Sequence, residues 1–215
     1  MTFPRRAEAA RRTRLALIKA ATELFIEQGY AGTTIDAVAA RARVARATVF
    51  TAMPGGKPAL LKAARDVALA GDDEPVPVPQ RPWFLAAMAP DDPAEVLRRQ
   101  CASYRMLHQR AARLEAVLAT AASTDPSLRA LHAEALRQRH LGCALVVHRL
   151  RELGGLAPGL TDDSASDTLY TLSSPAVHLL LVHDRGWSLD QYEHWLHYQL
   201  TAALLTALPG QHHDA

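Results

Sequence analysis

The chain has 215 residues, of which 49% are hydrophobic and 21% are charged. This composition is that of an ordinary folded protein and excludes a disordered chain. No apolar run approaches the roughly 18 residues that span a bilayer, and the basic start is not followed by the apolar segment of a secretory signal. We therefore expect a cytoplasmic protein with no membrane partner.

The charged residues are unevenly distributed along the chain. Residues 1–65 hold twelve lysines and arginines against four acids, a net charge of +8, whereas the remaining residues carry a net charge of −6. A basic block on an acidic body is typical of a protein that binds the phosphate backbone of a nucleic acid. The charge alone would also fit a solvated basic face without a partner, so the interpretation depends on the helix pattern as well.

The first predicted helix covers about residues 8–28, because apolar side chains recur at helical spacing between Leu17 and Phe25. Gly29 is expected to end this helix, since glycine tolerates the left-handed conformation of a C-cap. Thr33 or Thr34 is then expected to cap the second helix.

Residues 33–53 are predicted to form two short helices joined by a tight turn. Ile35, Val38 and Ala39 share one face of the first, and Arg43 and Val44 form the turn. The second covers residues 45–52, with Val49 facing inward and four side chains facing outward: Arg46, Ala47, Thr48 and Thr51. Its length of roughly 12 Å fits the major groove of DNA, so this is a helix-turn-helix whose second helix is expected to contact bases.

A domain boundary is predicted near residue 71. Residues 54–56 interrupt the chain, and a fourth helix is expected from Pro58 to about Ala70. The proline-rich stretch 71–79 cannot continue it and is predicted to be an extended linker. We divide the chain into a helix-turn-helix DNA-binding domain with its connecting helix, residues 1–70, and a helical ligand-binding and dimerisation domain, residues 71–215.

The second domain is predicted to be helical throughout. Helices are expected at about residues 83–88, 93–122, 126–153, 161–173 and 175–183, with a last one starting at Ser188 and ending before Pro209. Ser188 and Gln191 form a capping box. The predicted fold class is therefore all-α, with an N-terminal three-helix helix-turn-helix domain and a C-terminal bundle.

The last two helices are expected to form a homodimer interface. The penultimate helix is apolar nearly all round, and the last carries an apolar seam, so faces remain to be covered. The predicted interface residues are Val177, Leu180, Leu181, Tyr192, Leu196, Leu200 and Ala203. Packing within one chain is the alternative. A two-fold dimer would read a palindromic operator in double-stranded DNA.

With these residues in place, the sequence resembles the TetR family of bacterial transcriptional regulators. The resemblance rests on the segment from Ala20-Ala21 through Gly29-Tyr30, Gly32-Thr33-Thr34-Ile35 and Val38-Ala39, then on Val44-Ala45, Thr48-Val49-Phe50 and Lys57 with Leu60. It covers about residues 10–61. Gly186-Trp187-Ser188 gives a looser match in the second domain.

The resemblance implies a set of DNA-binding residues. Thr33 or Thr34 would contact a phosphate at a helix N-terminus. Arg46, Ala47 and Thr48 would face bases, and Phe50, Thr51 and Lys57 would lie at the DNA backbone. The full predicted set is Thr33, Thr34, Arg43, Ala45, Arg46, Ala47, Thr48, Phe50, Thr51 and Lys57. Arg5, Arg6, Arg11 and Arg12 could add non-specific contacts. The sequence departs from the family pattern at Arg43, Ala45, Phe50, Ala52 and Met53, and together these changes remove polar contacts and add an arginine.

A small-molecule pocket is predicted between helices of the second domain, the usual place for one in a bundle. Its candidate residues are Trp83, Tyr104, Arg105, His108, His148, Tyr170 and His178, for which satisfied core polar groups are the alternative. His194 and His197 share a helix face but lack a third metal ligand, and Cys101 and Cys143 are read as small buried hydrophobes. We predict no metal site, cofactor or catalytic residue.

The sequence therefore predicts a homodimeric transcriptional regulator, expected to be a repressor that an unknown small-molecule effector releases from its operator. An activator or a co-repressor-dependent regulator is the runner-up within this class. The alternative from another class is a helical small-molecule-binding protein with weakened or lost DNA recognition, followed by an all-α enzyme.

Overall fold

The computed structural model describes the backbone of residues 3–205 and the side chains of residues 6–205. Within this range the secondary structure is helical, apart from one isolated bridge between Leu156 and Leu205. The predicted all-α fold class is confirmed.

Ten α-helices follow one another in the described range. They are α1 (Phe3–Gly32), α2 (Ile35–Arg41), α3 (Arg46–Ala52), α4 (Gly56–Ala70), α5 (Pro82–Met88), α6 (Pro93–Thr124), α7 (Pro126–Glu152), α8 (Asp162–Leu172), α9 (Pro175–His178) and α10 (Leu189–Leu204). A 3₁₀ turn at Val78–Gln80 lies in the predicted linker, and a π-helical segment, Leu179–Asp184, follows α9 directly.

The chain forms two compact units. One comprises the residues up to Pro75 together with Arg110–Ala135, and the other comprises Val76–Gln109 together with the residues from Leu136 onward. Each of the long helices α6 and α7 has one part in the first unit and the other part in the second. The division at residue 70 into a DNA-binding and a ligand-binding domain stays a prediction about function.

The first unit has a core of apolar side chains from α1, α2, α3 and α4. Leu17, Phe25, Val38, Val49 and Leu60 are all fully buried in it. Burial of one leucine-sized side chain contributes about 1.5–3 kcal/mol. This packing, rather than helix propensity, holds the seven-residue helices α2 and α3, which are too short to be stable alone.

The second unit is built around α10. Its buried seam packs with side chains of α6, α7 and α8, among them Leu97, Val147 and Leu169. The predicted caps are present: Thr161, Ser174 and Ser188 each accept a backbone N–H, and Gln191 completes the box at Ser188.

One predicted helix end is confirmed in part and another needs correction. Gly29 interrupts the first helix where predicted, but its φ of 72° and ψ of 177° are not those of a left-handed C-cap, and a short helical stretch follows it to Gly32. The helix predicted to run from Ser174 through His183 is α-helical only to His178 and then widens into a π-helix. The sequence showed a capped start and a glycine stop, but neither feature distinguishes the two hydrogen-bond patterns.

Arg43 has a φ of 57°, which is unfavourable for any residue with a Cβ atom. We expect Arg43→Gly to raise the free energy of unfolding by up to about 1 kcal/mol, because glycine adopts this conformation without strain. Urea denaturation would measure the change. Arg43→Ala is the control, since alanine keeps the strain, and an equal gain from alanine and glycine would contradict the explanation.

Candidate nucleic-acid interface and a buried polar cluster

The helix pair α2 and α3 has the geometry predicted for a helix-turn-helix. Val38 and Val49 are buried between the helices of the first unit, and the turn between α2 and α3 passes through Arg43. Ala45 occupies the N-cap position of α3 and offers no side-chain cap, as expected from its methyl group. The absent cap costs about 1 kcal/mol relative to serine or threonine.

The outward side of α3 is an exposed polar and aromatic surface. Arg46, Ala47, Phe50 and Thr51 are exposed, and Thr48 is half-buried at its edge. Phe50 is 48% exposed, whereas most phenylalanine side chains are buried in a protein core. The structure thus brings the predicted base-facing residues onto one surface, although contact with DNA stays a prediction.

Arg46 is held by two neighbours on this surface. Its Nη1 donates to both carboxylate oxygens of Asp36 on α2, and its Cζ lies 5.7 Å from the centroid of the Phe50 ring. Both members of the ion pair are more than half exposed. Sequence reasoning missed Asp36, because the pairing joins two helices across the turn.

The two threonines before α2 have different roles. Thr33 is buried, and its hydroxyl donates to the carbonyl oxygen of Gly29 at 2.8 Å. Thr34 is accessible and caps α2 by accepting the backbone N–H of Ala37 at 3.1 Å. Of the two phosphate-binding candidates, only Thr34 therefore has an accessible side chain.

Lys57 supports the end of α1. Its Nζ donates to the carbonyl oxygen of Tyr30 at 2.9 Å and lies 4.2 Å from the centroid of the Tyr30 ring. An ammonium group has three donors, so this bond leaves two for another acceptor. Phosphate binding by Lys57 stays a prediction.

Several other arginines of the basic block are also paired. Arg41 contacts Glu27 and Glu23, and Arg11 donates to Asp73 of the linker at 2.8 Å. The side chain of Arg5, one of the four arginines predicted to add non-specific contacts, lies outside the described part of the chain. Exposed pairs of this kind contribute about 0–1 kcal/mol each.

A cluster of four rings occupies the interior of the second unit: Tyr104, His108, His178 and Tyr192. The His108 ring lies 6.2 Å from Tyr104 and 5.5 Å from His178, and His178 lies 4.8 Å from Tyr192. We call this set the ring cluster. Three of its members were predicted for the pocket, whereas Tyr192 was assigned to the dimer interface.

His108 is neutral in this environment. Burial lowers the pKa of His108 to about 3, outweighing the hydrogen bond to Ser173 that favours the charged form. Its Nε2 lies 2.8 Å from the carbonyl oxygen of Ser173, so the neutral ring must carry its proton on Nε2 to donate there.

His178 and Tyr192 carry unused polar atoms. Both ring nitrogens of His178 and the hydroxyl of Tyr192 are buried without a hydrogen-bond partner among the described residues. Burial also lowers the pKa of His178. A buried polar group without a partner costs about 1–3 kcal/mol, so these atoms are suited to a ligand that offers hydrogen bonds.

The other predicted pocket residues do not join the ring cluster. His148 was wrongly placed: its side chain is 67% exposed and pairs with Glu152 one helical turn away. Arg105 pairs with Asp190 and Glu193. Two predicted residues remain: the centroid of the Tyr170 ring lies 3.3 Å from the Cζ of Arg139, and Trp83 packs edge-on against Phe84.

The predicted dimer interface needs a correction at three positions. Tyr192, Leu196 and Leu200 have no accessible surface within the single chain, because the apolar seam of α10 packs into the core of its own unit. They cannot contact a second chain in this arrangement. Of the remaining predicted residues, Ala203 and Leu180 are exposed, Leu180 by 53%, while Val177 and Leu181 are half-buried.

A different set of side chains, on α10 and just before it, is accessible. Trp187, Gln191, His194, Trp195 and Tyr198 line an open groove, and Tyr198 is 65% exposed. The four of them that lie on α10 alternate with its buried seam. The sequence contains a signal for them, since Gln191, His194, Trp195 and Tyr198 follow helical spacing, but the buried seam is the more apolar of the two faces.

Neither cysteines nor histidines form a metal site in the part of the chain that the structure describes. Groups of three or more potential ligands do not occur there. Cys101 and Cys143 are buried and free, and burial raises the pKa of both thiols, as expected of small apolar side chains. Within the same range, every helix is too short or too polar to cross a membrane.

Comparison with known proteins points to one family. Residues 17–65 match the model of the bacterial regulatory proteins of the tetR family. None of the curated proteins matches the sequence.

Solved structures share the fold over nearly the whole chain. NalD, the secondary repressor of the MexAB-OprM multidrug efflux pump in Pseudomonas aeruginosa, is 20% identical with a TM-score of 0.65, and the match covers 94% of this chain and 100% of NalD. The SmeT–triclosan complex is 19% identical with a TM-score of 0.68 and coverage of 91% and 92%. A protein from Saccharomonospora viridis in complex with choline is 20% identical with a TM-score of 0.70 and coverage of 93% and 99%.

The segment that matches the family model contains the whole helix-turn-helix described above. The solved structures are at most 20% identical to this chain, so their similarity shows a shared fold only. The N-terminal segment, residues 17–65, is therefore similar to that of the bacterial regulatory proteins of the tetR family, and the chain as a whole shares its all-α fold with solved structures that include NalD.

Proposed function

We propose that the protein is a sequence-specific DNA-binding repressor that acts as a homodimer in the cytoplasm and leaves its operator when a small molecule binds. The observation that carries the proposal is the exposed surface of α3, which presents Arg46 and Thr48 inside a segment of net charge +8. No catalytic step belongs to the proposed function.

The dimensions of α3 support binding in the major groove. Seven helical residues give a length of about 10 Å, which fits a groove about 12 Å wide. The surrounding lysines and arginines would neutralise phosphates and release counterions, so binding should weaken steeply with salt. One such helix contacts few base pairs, and a two-fold dimer would double the site.

The homodimer is supported by the accessible apolar and aromatic side chains near the end of the chain. Leu180 and the groove lined by Trp187, Trp195 and Tyr198 are the kind of surface that a second copy would cover. An isologous contact would place the same surface of both copies against each other.

The effector is proposed to bind at the ring cluster of the second unit. His178 and Tyr192 offer buried hydrogen-bonding atoms, and the aromatic rings offer apolar contact. Neutral histidines favour an effector without net negative charge. Two solved structures with this fold carry triclosan or choline, which are ligands of those proteins. Effector binding would shift the population from a DNA-competent to an incompetent state.

One observation favours a second function. Ala45 leaves α3 without a side-chain cap, and Phe50 puts a bare ring where a hydroxyl would bond a phosphate. A chain with these features could bind a small molecule without recognising DNA.

Fluorescence anisotropy on DNA from upstream of its own gene, at 50 and 200 mM salt, tests the proposed function. We expect sequence-preferring binding that scrambled DNA does not displace and that higher salt weakens. Arg46→Ala should reduce affinity at least about 10-fold, and Thr48→Ala by less. Arg98→Ala, which removes an exposed arginine of the second unit, is the matched control.

Equal, weak binding to both DNAs by all variants would contradict the repressor. Small-molecule binding without DNA preference would then become the leading function.

A further inference from the structure

The arrangement around Arg46 suggests how it would read a base. The guanidinium donates to the Asp36 carboxylate on one side and lies near the Phe50 ring on another, and both contacts favour one orientation of it. All three side chains are exposed, so this arrangement lies on the surface that the proposed function assigns to DNA. An arginine side chain otherwise loses rotamer entropy when a complex holds it in one orientation.

The donors left over define what Arg46 can recognise. A guanidinium has five N–H donors and no acceptor. Asp36 engages only Nη1, which leaves the N–H of Nε and the two of Nη2 on an adjacent edge. Two parallel donors match the paired acceptors O6 and N7 of guanine in the major groove. Adenine and cytosine each present an amino group there, and a guanidinium has no acceptor for the hydrogen bond that an amino group would donate.

We propose that Arg46 reads one guanine in each half of the operator and that Asp36 is the positioning residue that aims it. The inference rests on the proposed DNA-binding function and deepens it by naming the base. Asp36 also disfavours phosphate near Arg46, since a carboxylate repels it, so the pair raises the ratio of specific to non-specific binding.

Selection from a random double-stranded DNA library by the full-length protein tests the inference. The wild type should select guanine at one position of each half-site, and replacing that guanine with adenine should reduce affinity at least about 10-fold. Asp36→Asn and Asp36→Ala should reduce this discrimination to about 3-fold or less, while binding to scrambled DNA stays equal or becomes tighter. Arg46→Lys should also lose the preference, because lysine cannot donate in a bidentate manner.

Glu27→Gln is the matched control, because it removes an exposed carboxylate that pairs with another arginine of the same basic block, Arg41. It should keep the full guanine preference. Circular dichroism would verify that each variant is folded.

Three outcomes separate the inference from the proposed function. Full guanine discrimination by both Asp36 variants would overturn the positioning role. A selected sequence without an Arg46-dependent guanine would overturn the base assignment and leave the DNA-binding function standing. If the wild type selects no sequence from the library, both the proposed function and the inference are overturned.

Discussion

Replacing Arg65 with alanine is expected to lower the free energy of unfolding by about 3 kcal/mol. Arg65 is 5% exposed, and its Nε donates to the carboxylate of Glu115 at 2.7 Å, joining α4 to α6 within the first unit. Removing one partner of a buried pair leaves the other charge uncompensated, which typically costs 3–5 kcal/mol. Glu115 retains some solvent access, so we expect the lower end of that range. Urea denaturation followed by far-ultraviolet circular dichroism measures the change.

Two variants control this prediction. Lys62→Ala removes the lysine of an exposed pair with Asp66 on the same helix and should cost less than about 1 kcal/mol. The double variant Arg65→Met with Glu115→Leu should recover most of the loss, because no charge then remains buried. A loss of less than 1 kcal/mol for Arg65→Ala would mean that solvent already screens this pair.

Acidification is expected to destabilise the second unit through the ring cluster. The pKa of His108 is lowered by burial to about 3 in the folded chain, against 6.5 for the ordinary side chain. Between these values the unfolded chain binds a proton that the folded chain does not, so stability is fully present above pH 6.5 and is lost as the pH falls. Between pH 7.5 and pH 5 the loss from His108 alone is about 2 kcal/mol. His178, whose pKa is also lowered, acts in the same direction.

The unfolding free energy of wild type and His108→Gln, measured from pH 7.5 to pH 5, tests the effect. Glutamine keeps a donor for the carbonyl of Ser173 but has no titrating group, so its pH profile should be flatter. His183→Gln, which changes an exposed histidine, should keep the steep profile. Superimposable profiles for wild type and His108→Gln would show that this ring is not buried in the neutral form.

Local sequence features predicted most of the helix boundaries correctly. Serine or threonine at an N-cap satisfies backbone N–H groups two or three residues away, so Thr34, Thr161, Ser174 and Ser188 could be recognised from a few neighbouring residues. The inward position of Val49 follows from helical periodicity in the same way. These features depend on contacts within one or two turns of the chain.

The composition of the candidate sites depends on long-range contacts and could not be predicted as well. An apolar stripe such as Tyr192, Leu196 and Leu200 fits a protomer core and a dimer interface equally, and only the packing of α10 assigns it to the core. His148 and His178 are equally polar in sequence, yet one faces solvent and the other the ring cluster. The pairing of Asp36 with Arg46 likewise requires the turn between α2 and α3 to be known.

Hydroxyl-radical footprinting of the full-length protein on its selected DNA tests most directly that two copies read an operator through α3. We predict two protected segments on one face of the duplex, with centres about one helical turn, roughly 34–36 Å, or a multiple of it apart. Both should disappear together with Arg46→Ala at a protein concentration that saturates the wild-type site. A single protected segment would contradict the dimer, and uniform weak protection along the DNA would contradict sequence-specific recognition.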